Sequence, residues 1–185
     1  MISVKVSLSQ LTYGGPSTFV NRFSKYLKNK NISLNFYNSK EKASVILVIS
    51  GTKKLGWLLY HKLIGTRIIQ RLDGFEWKYN YESHSIGYSI KCKLINFNMN
   101  LIRKYLSDHI VYQSLYLEQE WNNKFGKSNK SFSVIHNSAD DIFFNKQSKR
   151  IDRSSKDQKY KILCVEGTIQ NDMVTQKMLK ILESA

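Results

Sequence analysis

The sequence predicts an α/β fold with a Rossmann-like, doubly wound parallel sheet. Two observations lead to this prediction. Segments rich in β-branched residues alternate along the chain with segments of helical periodicity, and residues 44–49 (SVILVI) form a continuous apolar run. A strand that is apolar on both faces is expected where helices cover both sides of a parallel sheet. Strands and helices that alternate in this order imply successive βαβ units.

The first 145 residues contain every predicted element of this domain. Residues 2–8 alternate apolar and polar side chains, which is typical of a strand. Pro16 follows two glycines, and a helix is expected to begin there because the missing N–H of proline costs nothing at a first helical position. The predicted strands are residues 2–8, 32–37, 44–49, 67–72, 109–113 and 132–136. The predicted helices are residues 16–29, 52–64, 87–106 and 115–125.

The composition of the chain changes after residue 145. Residues 146–158 (KQSKRIDRSSKDQ) are polar and charged, which predicts a linker. Residues 159–185 begin with KYKILCVEG and continue into a segment of helical periodicity, so they form one further strand-to-helix unit. We therefore expect a complete domain at 1–145, a linker at 146–158 and an incomplete second βα unit at 159–185.

The composition favours a folded domain with a strongly basic surface. An apolar fraction of 42% is sufficient for a packed core, and lysine plus arginine exceed aspartate plus glutamate by 29 − 14 = 15. Such a charge attracts phosphate-bearing partners, namely nucleic acid, anionic lipid or nucleotide diphosphates. Codon bias is an alternative explanation of the excess. Nucleic acid is the least favoured partner, because neither a helix-turn-helix nor an aromatic RNA-binding motif is found.

Basic residues lie beside aromatic and aliphatic ones in two of the predicted helices. This pattern suits an anionic membrane surface. A solvated face of core-packed helices is the alternative and the favoured interpretation. The residues concerned are Lys53, Lys54 and Lys62, followed by Lys91, Lys93, Arg103 and Lys104.

The cysteines and the N-terminus predict a cytoplasmic protein. Cys92 and Cys164 lie far apart within apolar patterns and have neither CxxC nor zinc-site spacing, so buried reduced thiols are expected. Residues 1–10 lack the pattern of a signal peptide. No stretch approaches the roughly 20 apolar residues that a membrane-spanning helix needs.

Ligands of open α/β sheets bind beyond the carboxyl ends of the strands, and two sequence features fall there. Gly14 and Gly15 precede a helix whose N-terminus is suited to an anion, with an ordinary tight turn as the alternative. Arg71 and Asp73 stand at the end of strand 67–72. Asp73 is placed to bind a hydroxyl or to act as a base, and a local ion pair in a turn is the alternative.

Two further features follow the last two predicted strands of the domain. Gln113 and Ser114 open helix 115–125, where Ser114 is expected to cap the helix. His136 and Asn137 follow strand 132–136. The chain contains no G-x-G-x-x-G or GxxxxGK[ST] sequence, which argues against a simple dinucleotide or P-loop site.

The order and spacing of these motifs resemble the retaining GT-B glycosyltransferases of family four. The motifs are the Gly14-Gly15 loop, RLDG at 71–74, SDHIVYQS at 107–114, VIHN at 134–137 with Phe143-Phe144, and KILCVEG at 161–167. The resemblance covers essentially the whole chain and matches the first domain of that family. It implies the first half of a GT-B fold, an acceptor-side domain followed by a truncated donor-binding domain. The complete enzyme would transfer a sugar from a nucleotide-sugar donor to a hydroxyl of a glycan or lipid-linked acceptor.

The resemblance also implies roles for five residues. Gly14 and Gly15 would lie under the donor diphosphate and the acceptor, and Gly167 would approach the diphosphate. Asp73 stands where the family often has a histidine close to the reacting sugar, so it is the candidate catalytic residue, and Arg71 would orient it. No metal or other cofactor is implied, since helix ends and basic side chains can hold a leaving diphosphate.

The family's donor-binding residues, which include two glutamates seven residues apart, lie mostly in its second domain, and this chain ends before that region. We therefore expect no turnover by the chain alone and a complementing C-terminal domain as a partner. The expected location is the cytoplasm, with peripheral association at the inner membrane face as an extension. The alternative function is a non-catalytic binding module for a glycan, an anionic lipid or a partner protein.

Overall fold

The computed structural model describes residues 2–9, 15–76 and 85–137. These residues all belong to one compact unit, Met1–Asn137. The predicted boundary at residue 145, the linker at 146–158 and the further βα unit at 159–185 lie outside the described residues.

The described part of the chain contains a six-stranded parallel sheet. Its strands are β1 (Ser3–Val6), β2 (Ser33–Phe36), β3 (Val45–Ile49), β4 (Arg67–Leu72), β5 (His109–Tyr112) and β6 (Ser131–Val134). They lie in the order β2-β1-β3-β4-β5-β6, and all neighbouring pairs are parallel. Because β2 and β3 lie on opposite sides of β1, the winding reverses between β1 and β3, the usual place for a ligand in such sheets.

Four helices connect these strands. They are α1 (Gly15–Lys28), α2 (Leu55–Leu63), α3 (Ile86–Leu101) and α4 (Leu115–Phe125). The hydroxyls of Ser85 and Ser114 accept hydrogen bonds from backbone N–H groups in the first turns of α3 and α4, at 3.3 and 3.1 Å. Each bond satisfies a donor that the helix itself leaves unpaired, and the predicted cap at Ser114 is confirmed.

Helices cover both faces of the sheet, so the predicted Rossmann-like, doubly wound fold is confirmed. Val20 and Leu27 of α1 pack on the face that carries Val6 and Leu47. The other three helices pack on the opposite face, which carries Ile46, Val48, Ile68, Leu72 and Ile110. β3 contributes buried side chains to both layers, as its continuous apolar sequence predicts.

The segment expected as one helix over residues 87–106 has a different ending. The α-helix stops at Leu101, and Ile102–Leu106 forms a π-helical turn. Arg103 in this turn is fully buried, so the expectation that it belongs to a solvated or membrane-facing surface is wrong. Arg103 follows Met99 by four residues and therefore continues the buried stripe of α3.

The buried guanidinium of Arg103 is held by neutral acceptors. Its Nε donates to the Tyr112 hydroxyl at 2.9 Å and one Nη donates to the Gly126 carbonyl at 2.9 Å. Asn100 and Asn122 accept further hydrogen bonds. These bonds offset the cost of burying a charge, so Arg103 joins the π-helical turn to β5 and α4.

Two smaller expectations can be compared with the described residues. Cys92 is a buried free thiol, as expected, whereas Cys164 lies outside the described residues. None of the helices described is both long enough and apolar enough to cross a membrane.

Candidate functional site

Five polar side chains meet where neighbouring strands end, because the carboxyl ends of parallel strands lie at the same edge of a sheet. Each one lies at the carboxyl end of β3, β4, β5 or β6 or within three residues after it. A continuous chain of hydrogen bonds joins them. We call them the carboxyl-edge cluster, which consists of Ser50, Arg71, Asp73, Gln113 and Asn137.

Asp73 is the centre of this cluster. Its Oδ1 accepts a hydrogen bond from Arg71 Nη1 at 2.6 Å, and its Oδ2 accepts one from the Ser50 hydroxyl at 2.9 Å. The Asp73 side chain remains 28% exposed. A carboxylate has about four lone-pair sites, so each oxygen can accept one further hydrogen bond from a ligand.

Arg71 is held by three groups, the Asp73 carboxylate, the Asn137 side chain and the Phe19 ring. Its Nη2 donates to Asn137 Oδ1 at 2.8 Å, and Asn137 in turn donates to Gln113 Oε1 at 2.5 Å. The guanidinium carbon lies 4.2 Å from the centre of the Phe19 ring in α1. With a side chain only 9% exposed, Arg71 is a fixed support for the Asp73 carboxylate.

Ser50 has a strained backbone. Its φ is +57°, a left-handed conformation that costs a serine about 1–3 kcal/mol. Two bonds hold it there: its N–H donates to the Arg71 carbonyl at 2.8 Å, and its carbonyl accepts from Gln70 Nε2 at 2.7 Å. This conformation turns the Ser50 hydroxyl toward Asp73, and strain of this kind is concentrated at functional sites.

The backbone of Asp73 is fixed from the side of α4. Trp121 is fully buried and its indole N–H donates to the Asp73 carbonyl at 3.0 Å. Phe75 and Phe125 pack edge-on against one another and around the Trp121 ring. Both the side chain and the main chain of Asp73 are thus positioned before any ligand binds.

An open groove of about 720 Å³ adjoins the cluster. It lies between residues 50–53, which follow β3, and residues 87–99 of α3, so Ser50 belongs both to the cluster and to the groove lining. The loop passes so close to α3 that a Cβ at Gly51 would lie 2.9 Å from Met99 Cγ and 3.0 Å from Asn98 Oδ1. The absence of a side chain at Gly51 therefore allows this close approach.

The cluster contains two of the five predicted site residues, Arg71 and Asp73. The ion pair that the sequence analysis gave as the alternative interpretation of these two residues is present. Gly15 is the first residue of α1 and is exposed. It lies one helical turn before Phe19, which stacks on Arg71, so it belongs to the same edge of the sheet. Gly14 and Gly167 lie outside the described residues.

Sequence reasoning did not identify Ser50, Phe19 or Trp121 as parts of this site. A serine directly after an apolar strand and before a glycine was a usable signal for Ser50. Phe19 and Trp121 have the spacing of ordinary core residues, so their contacts with Arg71 and Asp73 required the structure.

A second ion pair lies at the opposite, amino edge of the sheet, between Lys62 and Asp108. The Ile68 N–H also donates to Asp108 Oδ2 at 2.8 Å. Burial by itself would raise the pKa of the Asp108 carboxyl, but the hydrogen bonds from Lys62 and Ile68 and the charges of Lys62 and Lys130 outweigh it and lower this pKa.

The face of the sheet that carries α2 contains two buried basic groups. Lys5 donates to the carbonyls of Ser39 and Glu41 at 3.0 and 2.7 Å. His61 lies near it, with Nδ1 3.2 Å from the Thr66 hydroxyl. Burial, and then the charge of Lys5, lower the pKa of His61. Both groups are satisfied within the fold and lie apart from the carboxyl-edge cluster.

The described residues include no group of three or more histidine, cysteine, aspartate or glutamate side chains that could hold a metal ion. Comparison of the chain with protein-family models, curated proteins and solved structures finds no match. The carboxyl-edge cluster and the groove beside it are therefore the features from which a function is inferred.

Proposed function

We propose that this chain is the acceptor-side part of a glycosyltransferase that moves a sugar from a nucleotide-sugar donor to a hydroxyl of a glycan or lipid-linked acceptor. The observation that supports it most is Asp73, a partly exposed carboxylate fixed by Arg71 and Ser50 at the carboxyl edge of a Rossmann-like sheet. A fixed carboxylate with free lone pairs suits the hydroxyls of a sugar.

In this proposal, Asp73 accepts a hydrogen bond from the acceptor hydroxyl or from the transferred sugar as the new bond forms. Arg71 is a positioning residue that keeps the carboxylate in place through Phe19 and Asn137. Gly15 opens α1 beside the cluster, where backbone N–H groups can face the diphosphate of the donor. Gly14 and Gly167 would complete the contacts with that diphosphate.

A second Rossmann-like domain would supply most of the donor contacts, so we expect the chain to work together with a complementing C-terminal domain in the cytoplasm, at the inner face of the membrane. The nucleotide sugar is a co-substrate, and no metal ion is part of the proposal. The helix end and the basic side chains would stabilise the leaving diphosphate.

The test is a transfer assay with radiolabelled nucleotide sugars, in which cellular glycan and lipid fractions serve as acceptors. The purified chain is assayed alone and together with a donor-binding domain of the same transferase class, supplied by fusion or in trans. We expect label in an acceptor fraction only with the added domain. Multiple turnovers by the chain alone would contradict the division of roles, and no transfer with any donor-binding domain would contradict the function.

The binding-module alternative is favoured by one observation, the groove of about 720 Å³, a size within the range of ligand pockets. A binding module would hold its ligand without any turnover. Asp73→Asn would then change ligand affinity but no reaction rate, and the same transfer assay separates the two functions.

A further inference from the structure

The groove beside the carboxyl-edge cluster has an apolar wall that faces solvent. Ile90, Leu94 and Ile95 of α3 line it together with Met99, which is buried. Ile90 and Leu94 are 53% and 62% exposed. Exposed apolar side chains gathered along one groove indicate a binding surface rather than a scattered solvent contact.

Both charged side chains in the lining of this groove are basic. They are Lys53, in the loop after β3, and Lys91 on α3, and both are exposed. Within the described part of the chain, neither lysine forms an ion pair, and no acidic side chain lines the groove. An apolar wall with two lysines fits a ligand that has an apolar chain and an anionic head group.

The position of the groove relates this ligand to the cluster. Ser50 is one of the residues that line the groove, and its hydroxyl donates to Asp73. Lys53 follows Ser50 by three residues. A head group held at Lys53 would therefore share the groove with the serine that hydrogen-bonds Asp73, while its chain extended along α3.

We propose that the groove binds a single molecule of a prenyl phosphate, with the chain against Ile90 and Leu94 and the phosphate at Lys53 and Lys91. If the proposed transferase function holds, this amphiphile is the lipid carrier of the acceptor glycan whose hydroxyl receives the sugar, and that identification rests on the proposed function. Binding of the amphiphile depends only on the groove and can be measured without any transfer.

The first experiment measures binding to the full 185-residue chain by titration calorimetry. The probes are farnesyl diphosphate below its self-association concentration, farnesol, inorganic diphosphate and vesicles of anionic phospholipid. We expect farnesyl diphosphate to bind at least about tenfold more tightly than farnesol or inorganic diphosphate, because only it uses both the apolar wall and the lysines. Equal affinity for inorganic diphosphate, no binding of farnesyl diphosphate, or binding to vesicles alone would overturn the proposal.

A matched pair of substitutions then locates the binding site. Leu94 and Leu63 are both exposed leucines, at 62% and 77%, but only Leu94 lines the groove. Leu94→Glu should weaken farnesyl diphosphate binding about tenfold or more, since it places an unpaired carboxylate beside the chain and the phosphate. Leu63→Glu, on α2, should change it less than about twofold. Equal effects of the two substitutions would overturn the assignment.

A neutral variant at the same position separates the effect of an added charge on binding from the effect of added volume. Leu94→Trp adds volume to the groove without a charge, so it should also weaken farnesyl diphosphate binding while inorganic diphosphate is unaffected. Circular dichroism confirms that each variant is folded.

The two proposals can fail separately. If farnesyl diphosphate binds as expected but the transfer assay fails, the groove assignment stands and the transferase function falls. If transfer occurs but no variant changes the binding of farnesyl diphosphate, the groove assignment falls alone.

Discussion

Two ion pairs lie at opposite ends of β4, and their carboxylates differ in the groups to which they are hydrogen-bonded. Asp108 at the amino edge accepts from Lys62 and from the Ile68 N–H, and its own N–H donates to the Ile68 carbonyl at 2.7 Å. That pair ties the beginnings of β4 and β5 together. The carboxylate of Asp73 at the carboxyl edge is hydrogen-bonded to the Arg71 and Ser50 side chains.

The difference indicates that the two aspartates have different roles, although each is paired with a basic side chain. Formation of the sheet accounts fully for Asp108, because its carboxylate satisfies a backbone donor that the strand leaves unpaired. The fold alone gives no comparable reason for Asp73, whose side chain is held by a strained serine and by an arginine stacked on Phe19. A preorganised, partly exposed carboxylate is expected where a ligand is bound.

The largest expected effect concerns Trp121, which fixes the backbone of Asp73. Trp121→Ala should lower the free energy of unfolding by about 3–5 kcal/mol, since it empties a fully buried site. Trp121→Phe keeps most of the packing but loses the hydrogen bond to the Asp73 carbonyl, and should cost about 1–3 kcal/mol. Denaturant unfolding measures both, and an unchanged stability of Trp121→Phe would show that this bond does not fix Asp73.

The two cations provide the next comparison. Arg71→Met should lower the free energy of unfolding by about 1.5–3 kcal/mol, because Asp73 and Asn137 lose a nearly buried charged donor. Lys62→Met should cost about 1 kcal/mol or less, since that pair is 30% and 37% exposed at its two side chains. Denaturant midpoints under one set of conditions test this order, and a larger loss for Lys62→Met would reverse the comparison.

The dependence of the free energy of unfolding on acid pH should show the contribution of the Lys62–Asp108 ion pair at the amino edge. The pKa of Asp108 is lowered in the folded state, so its contribution is present above the unfolded pKa and is lost as pH falls through the folded value. Asp108→Asn should therefore be less stable than wild type by about 1 kcal/mol at pH 7. The difference should shrink below about pH 4. A difference that stays constant down to pH 2 would show that the charge of Asp108 does not stabilise the fold.

The smallest expected effect is at His61, which belongs to neither ion pair. Burial and the charge of Lys5 lower its pKa, so the folded state disfavours the proton and stability should fall as pH drops through the unfolded pKa, near 6.5. His61→Gln removes this titration and should flatten the stability profile between about pH 7 and pH 5. Thermal unfolding across that range is the measurement, and an equally steep profile in the variant would contradict the assignment.

The fold was more predictable from sequence than the site was. The apolar run of β3 and the regular alternation of strands and helices predict the parallel sheet, because these patterns follow directly from burial on two faces. Arg71 and Asp73 were identified since they end a strand. The role of Ser50 depends on a positive φ, and the roles of Phe19 and Trp121 depend on which distant polar group each aromatic ring contacts.

Arg103 illustrates why the remainder could not be predicted. A charged residue in a helix normally indicates a solvated face, but the position of Arg103 on the stripe that contains Met99 places it in the core. Its burial depends on acceptors from β5, α4 and the residue after α4, which no local pattern around Arg103 could indicate.

The central claim is that Asp73 serves a ligand whereas Asp108 serves the fold, and Asp→Asn at both positions tests it most directly. Asn at position 73 can keep both bonds, because the Ser50 hydroxyl can accept as well as donate. At position 108 both partners are obligatory donors, so one bond must be lost. The measurement is the transfer rate per folded molecule, with the donor-binding domain supplied, together with thermal unfolding of the same samples. We predict that Asp73→Asn slows transfer per folded molecule about 10- to 150-fold, beyond any loss of stability from the unpaired charge of Arg71, and that Asp108→Asn lowers stability without slowing transfer per folded molecule. An unchanged transfer rate in Asp73→Asn would remove Asp73 from the site.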